Sequence, residues 1–233
     1  MNLEYCFDKE KINFIPTYQI SYWLSDAMFS IFKNGEPIAK LFDVKKGADT
    51  GDNSKYLRFW WEVKSISFYA FSNSKKWVPY AKGGEFRRWY GNKEYVIYWD
   101  NNGYELKHSK ANLRSPQMYF KKTITWSAIS SGKSSFRVND AMGLFDSAGS
   151  SMLPNNDIFD YVLAVMNSKV ATIILDNINP TLNYGAGSIG LFPLLKISNP
   201  TVINSLTANS VKISKQDWDS FETSWDFKKH PLI

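Results

Sequence analysis

The run "NDIFDYVLAVMNSKVATIILDNI", residues 156–178, constrains the fold more than any other segment. Ile158, Phe159, Val162, Leu163, Met166, Val170, Ile173 and Ile174 recur at three- and four-residue spacing, which gathers them on one face of an α-helix. Asn156 or Asp157 is suited to cap its N-terminus and Pro180 ends the pattern. The spacing predicts a single scaffold helix over 156–178, whose apolar face must be covered by another layer. A second helix is predicted over 21–34, with Trp23, Leu24, Ala27, Met28, Ile31 and Phe32 on one face and Gly35 and Pro37 closing it.

Elsewhere the pattern is strand-like and short. "YLRFWWEV" (56–63), "EYVIYWD" (94–100, ending in an Asn-Asn-Gly turn), "TITWSAIS" (123–130) and "LFPLLKI" read as strands. Residues 37–53 and "AMGLFDSAGSSMLP" read as strand running into loop, and the Ser/Asn/Thr-rich 198–210 as a connection. No internal repeat and no alternating βαβ rhythm is present. The expected class is therefore α+β: a mixed, β-rich domain over 37–198, a helical lead-in over 1–36, and a connection and tail over 199–233.

Several motifs suggest chemistry and fail on their neighbours. Gly185-x-Gly187-x-x-Gly190 has the spacing of a dinucleotide cradle, which requires a strand before it and a helix opening from it. Here the long helix precedes and Pro193 follows, so the glycines are expected to serve a tight backbone passage. "SSGKSS" (130–135) lacks the first P-loop glycine, since position 127 is Ser127. "NPTL" (179–182) departs from the Asn-Pro-Pro-aromatic motif of amino-methyltransferases at Thr181 and Leu182. Two distant histidines, His108 and His230, support neither a zinc site nor a catalytic triad. Asp49, Asp52 and Asn53 could hold a divalent ion but lack a supporting Glu-x-Lys unit, and Asp217/Asp219 read as solvated or capping carboxylates. No catalytic residue, metal ligand or cofactor site is expected in this chain. The lone Cys6 and the absence of a signal or spanning run lead us to expect a cytoplasmic protein without membrane partners.

Charge and aromatic content point instead to binding. The chain is 16% aromatic and carries a net charge of +6. Residues 75–95, "KKWVPYAKGGEFRRWYGNKEY", hold six cations, Lys75, Lys76, Lys82, Arg87, Arg88 and Lys93, against Glu85 and Glu94, a net +4. Trp77, Tyr80, Phe86, Trp89 and Tyr90 interleave with them. The loop at 45–58 adds Lys45, Lys46, Asn53, Lys55 and Arg58, and the loop at 130–137 adds Lys133 and Arg137. Lys and Arg neutralise phosphates, while Asn53, Arg87, Arg88 and Asn92 are the side chains suited to read base edges. The expected partner is double-stranded DNA. The competing reading is a module that docks on another protein, its aromatic loops forming the contact and its charge incidental.

These same blocks resemble a known family. "GADTGDNSKYLRFWWEV", "KKWVPYAKGGEFRRWYGNKEYVIYWDNNGYELK", "ITWSAISSGKSSFRV", "FDSAGSSMLP", "MNSKVA", "NPTLNYGAGSIGLFPL" and "DWDSFETSWDFKKHPLI" are similar, in order, to the specificity region of the BREX-type phage-defence adenine-specific DNA methyltransferases, the PglX family. With the opening "IPTYQISYWLSD" the resemblance covers about residues 12–233. It implies a target-recognition part that works with a methyltransferase catalytic domain in cis or in trans, alongside other defence-system proteins. The family's catalytic domain carries an S-adenosylmethionine loop and an Asn-Pro-Pro-Tyr motif. Neither occurs here, so the chain is expected to be an excised or truncated recognition region, with S-adenosylmethionine implied only for the full-length protein.

Overall fold

A computed structural model describes residues 8–64, 76–129 and 132–233. The architecture is mixed α+β, as the patterning predicts, and it is built around two apolar cores.

The first four-stranded sheet has the order Leu144–Phe145, Trp77–Ala81, Tyr95–Tyr98, Leu57–Phe59. Its outer Leu144–Phe145 strand runs parallel to Trp77–Ala81, and the other pairs are antiparallel. Leu57, Ile97 and Val78 stand opposite one another in register, so they share one face and join Tyr80, Trp99, Leu106 and Phe145 in one core. The second sheet, Val44–Lys45, Ser151–Met152, Thr123–Trp126, Phe136–Asn139, is antiparallel throughout. It packs with the helices around Trp126, Phe136, Phe159, Leu163 and Ile174 to form the other core.

The scaffold helix differs from its predicted form. Two helices, Asn156–Met166 and Lys169–Ile178, replace the single one and meet at a bend of 80°. The cause lies in the two residues between them. Asn167 is buried, donates from Nδ2 to the Phe136 and Leu163 carbonyls at 2.8 and 3.1 Å, and accepts from the Phe136 N–H at 3.1 Å. It thereby ties the helix end to the edge of the second sheet. Ser168 then caps the next helix by accepting from the Ala171 N–H at 3.1 Å. Among the described residues no single helix is long and apolar enough to cross a membrane.

The other helical expectations shift as well. The N-terminal helix is Asp26–Asn34, capped by Ser25, and it buries Phe29 and Phe32 while Trp23 stays 60% exposed before it. The segment read as a connection is an 18-residue helix, Thr201–Trp218, lying along Asn156–Met166. Its polar sequence concealed it, because Val202, Leu206 and Ile213 face outward while Thr207 is buried and donates to the Asp160 carbonyl at 3.2 Å. The strand predicted over 56–63 is shorter, Leu57–Phe59, and passes into a 3₁₀ turn at Trp60–Glu62. The Asn-Asn-Gly signal is realised as three successive left-handed residues, Asn101, Asn102 and Gly103.

A five-residue helix, Ala186–Gly190, forms within the glycine motif and ends there, and the strand Pro193–Leu194 follows it, as the position of Pro193 led us to expect. A methyl group on Gly190 would lie 2.9 Å from the Ala39 side chain, but at Gly185 and Gly187 it would meet nothing within 4 Å. The tight-passage reading therefore applies to Gly190 alone.

Candidate nucleic-acid interface

The basic stretch between the Trp77–Ala81 and Tyr95–Tyr98 strands is held at several points rather than waving free. Trp89, with φ of 71°, pairs with the edge of the second sheet, donating to the Phe136 carbonyl at 2.8 Å and accepting from Val138 N–H at 2.9 Å. Asn92 donates from Nδ2 to the Glu85 carbonyl at 2.9 Å, and the Ser127 hydroxyl donates to the Gly84 carbonyl at 2.8 Å. Gly91 has φ of 127°, and a methyl group there would lie 2.7 Å from the Arg87 Cδ and 3.1 Å from Trp218, so only glycine lets these side chains stack.

This anchoring shapes a cavity of about 500 Å³. Phe59, Tyr95 and Trp218 supply apolar walls, and Lys82, Glu85, Arg87 and Glu94 supply charge. Arg87 bonds to Asp217 at 3.1 Å and lies 5.0 Å above the Trp218 ring. Beside the cavity runs an aromatic column: Trp61 stacks on Phe59 at 4.6 Å, Phe59 packs on Tyr95 at 4.8 Å, and the Lys82 ammonium sits 5.0 Å over Tyr95. The C-terminal segment closes the site through Trp218 and a hydrogen bond from Trp60 Nε1 to the Thr223 carbonyl at 2.9 Å.

Burial sets the electrostatics. The Glu94 carboxyl is pushed above the usual carboxylate range by burial, against the pull of Arg137 and Arg87. Arg137 is 1% exposed. Its guanidinium is pulled down to about 10 by burial, with Glu94 opposing, and it remains charged at neutral pH.

The structure divides the expected contact residues. Lys82, Arg87 and Asn92 line the one cavity, although Asn92 is buried and occupied with Glu85. Arg88 lies 5.3 Å over Phe86, with its Nε buried and unpartnered among the described residues. Arg137, expected at the surface, is inside the fold, donating to the Ser127 hydroxyl at 3.2 Å. Lys93 is likewise buried, paired with Asp140 and 3.9 Å over the Tyr90 ring. Neither presents charge to a large external ligand.

The 45–58 loop stands apart. Lys55 pairs with Glu105 at 2.5 Å and lines a separate cavity of about 590 Å³ with Asp52, Tyr104 and His108. Arg58 donates to the Ser54 and Leu57 carbonyls at 2.6 Å, and it points to the opposite sheet face from Phe59. Asn53 is exposed and accepts from the Thr50 hydroxyl at 2.5 Å. Lys45, Lys46, Lys76 and Lys133 are exposed and line neither of these cavities. Lys45 lies 3.8 Å from Asp43, and Lys76 lies 5.8 Å over Tyr98. Lys75 lies outside the described residues. Asp49 is engaged by Arg114 and the Ser147 hydroxyl, and Asp52 caps the short Asn53–Tyr56 helix. Asp217, its side chain 62% exposed, and Asp219, the C-cap of the Thr201–Trp218 helix, fit the solvated or capping expectation and also pair with Arg87 and Lys215. Among the described residues no group of three or more His, Cys, Asp or Glu is placed to hold a metal ion.

Sequence reasoning missed Phe59, Glu94, Tyr95 and Trp218. Phe59 and Tyr95 carried a signal, since they are cross-strand partners in two segments read as strands. Glu94 carried none, because it was counted only as a subtraction from the basic charge.

No family model matches the chain. It is 40% identical over 224 residues, 94% of its own length, to the adenine-specific methyltransferase BrxX of Escherichia coli O9:H4 (strain HS). It is 34% identical, over its whole length, to the adenine-specific methyltransferase PglX of Lacticaseibacillus casei (strain Zhang). The chain corresponds to one segment of the BrxX and PglX methyltransferases. It spans 18% of the first relative and 21% of the second, so about four-fifths of each BREX-type relative has no counterpart here.

Proposed function

We propose that this chain is a duplex DNA target-recognition module that directs adenine N6 methylation by a methyltransferase catalytic domain, joined to it or acting with it, in a cytoplasmic BREX-type phage-defence system. The observation that carries the reading is the 40% identity to a segment of BrxX in a stretch without the S-adenosylmethionine loop or the Asn-Pro-Pro-Tyr motif. Choosing the site is the task left to such a segment, and S-adenosylmethionine would be held by the catalytic part. The domain over 37–198 supplies the reader and the flanking segments brace it. Lys82, Arg87 and Arg88 contact the duplex from the anchored loop, and Lys45, Lys46, Lys76 and Lys133 add phosphate contacts around it.

Fluorescence anisotropy with duplex DNA tests this. Arg87→Glu combined with Arg88→Glu is expected to abolish binding while the thermal transition persists. Unchanged affinity in that variant overturns the reading. The protein-docking alternative is favoured by a specific feature: Val202, Leu206 and Ile213 are 71%, 62% and 66% exposed along one helix. On that reading the charge reversal leaves DNA affinity untouched.

A further inference from the structure

Glu94 is at odds with a surface whose only task is to grip phosphate. It lines the same cavity as Lys82 and Arg87, and Glu85 stands beside it. Among the described residues its side chain forms no ion pair and no hydrogen bond to another residue. A phosphate placed there would meet two carboxylates, which repel it. The Glu94 backbone N–H is a donor to its own carboxylate, and the remaining acceptor capacity of this half-buried carboxylate is open to a donor from a ligand.

In a cleft walled by Phe59, Tyr95 and Trp218 and flanked by cations, the fitting donor is the exocyclic amine of a nucleobase. We infer that Glu94 is a specificity-determining residue that accepts a hydrogen bond from the amino group of a cytosine or adenine while Lys82 and Arg87 hold the adjoining phosphates. Guanine O6 and thymine O4 present acceptors at the equivalent major-groove positions and are rejected there by like-polarity repulsion. The inference rests on the DNA-recognition reading and assigns the chemistry of one contact within it.

The test uses the whole chain and duplexes carrying the recognised sequence found by selection from a randomised pool. At each cytosine or adenine the amine is deleted in turn, by 2-pyrimidinone or purine. One position is expected to cost the wild type about tenfold in affinity. Glu94→Ala, which removes the acceptor, is expected to lose sensitivity at that position and to keep the salt dependence and the contribution of every other position. If Glu94→Ala retains the wild-type base profile, the inference is overturned and DNA recognition stands. A fall in thermal stability with that same unchanged profile marks Glu94 as only the counter-charge of Arg137, again overturning it. If no duplex is bound at all, the DNA reading and the inference fall together.

Discussion

A residue that costs the fold tells more about function than one that supports it, and Glu94 is such a residue. Its carboxyl is raised by burial above an ordinary value of 4.5. The folded state therefore holds the proton more tightly than the unfolded chain does. The resulting stabilisation is complete below the unfolded pKa and is lost as pH rises through the folded one. At neutral pH the ionised acid is a liability that Glu94→Gln removes. The variant is expected to melt at or above the wild-type temperature at pH 7, with the difference shrinking as pH falls below 5. Thermal scans from pH 4 to 8 check this, and a Glu94→Gln variant less stable at pH 7 than at pH 4, relative to wild type, contradicts it. The charge count at 75–95 was legible in the sequence, but burial was not. Arg137 and Lys93 counted equally with Lys82 there, yet they lie under the loop because Phe136–Asn139 is an inner edge to which Trp89 is stitched.

Elements were legible where one periodicity ran undisturbed and illegible where polar residues did structural work. The apolar spacing of 156–178 passes through Asn167-Ser168 without losing phase, so a single helix was the natural reading. The bend depends on hydrogen bonds that only the folded partner at Phe136 supplies. The Thr201–Trp218 helix was hidden for the reverse reason: Val202, Leu206 and Ile213 are exposed, and its two buried residues are the polar Thr207 and, at its very end, Trp218. The corner at Asn167 can be tested directly. Asn167→Ala leaves the Phe136 backbone groups without partners in a buried site and is expected to cost about 2–3 kcal/mol. Ser168→Ala removes only a cap and is expected to cost about 1 kcal/mol. Urea unfolding measures both. If the two variants were equally mild, the corner would be an ordinary helix break rather than a tie between helix and sheet.

At the scale of the whole molecule, the cations that matter for a polyanion are those not already spent on internal partners. Lys55 is bonded to Glu105, Lys93 to Asp140 and Lys215 to Asp219 and Asp226, and Arg137 is buried, whereas Arg87 is tied to Asp217 through Nη1 and still lines the cavity. A net charge of +6 therefore overstates the attraction in one place and understates it in another. The two carboxylates in the cavity reduce the local field, and the exposed Lys46 and Lys76, with Lys45 at 3.8 Å from Asp43, extend it beside the second sheet and at the start of the Trp77–Ala81 strand. Counterion release counts phosphates neutralised, not cations encoded. With about five effective contacts, log K is expected to fall against log salt with a slope of about −4 to −5. Lys82→Ala should reduce that slope by about 1. A slope of about −10 would mean that the internal pairs open on binding and release their cations to the backbone. In that case Asp217→Asn, which frees Arg87 in advance, should raise affinity. With the pairs intact in the complex, the same substitution should loosen Arg87 from Trp218 and lower it.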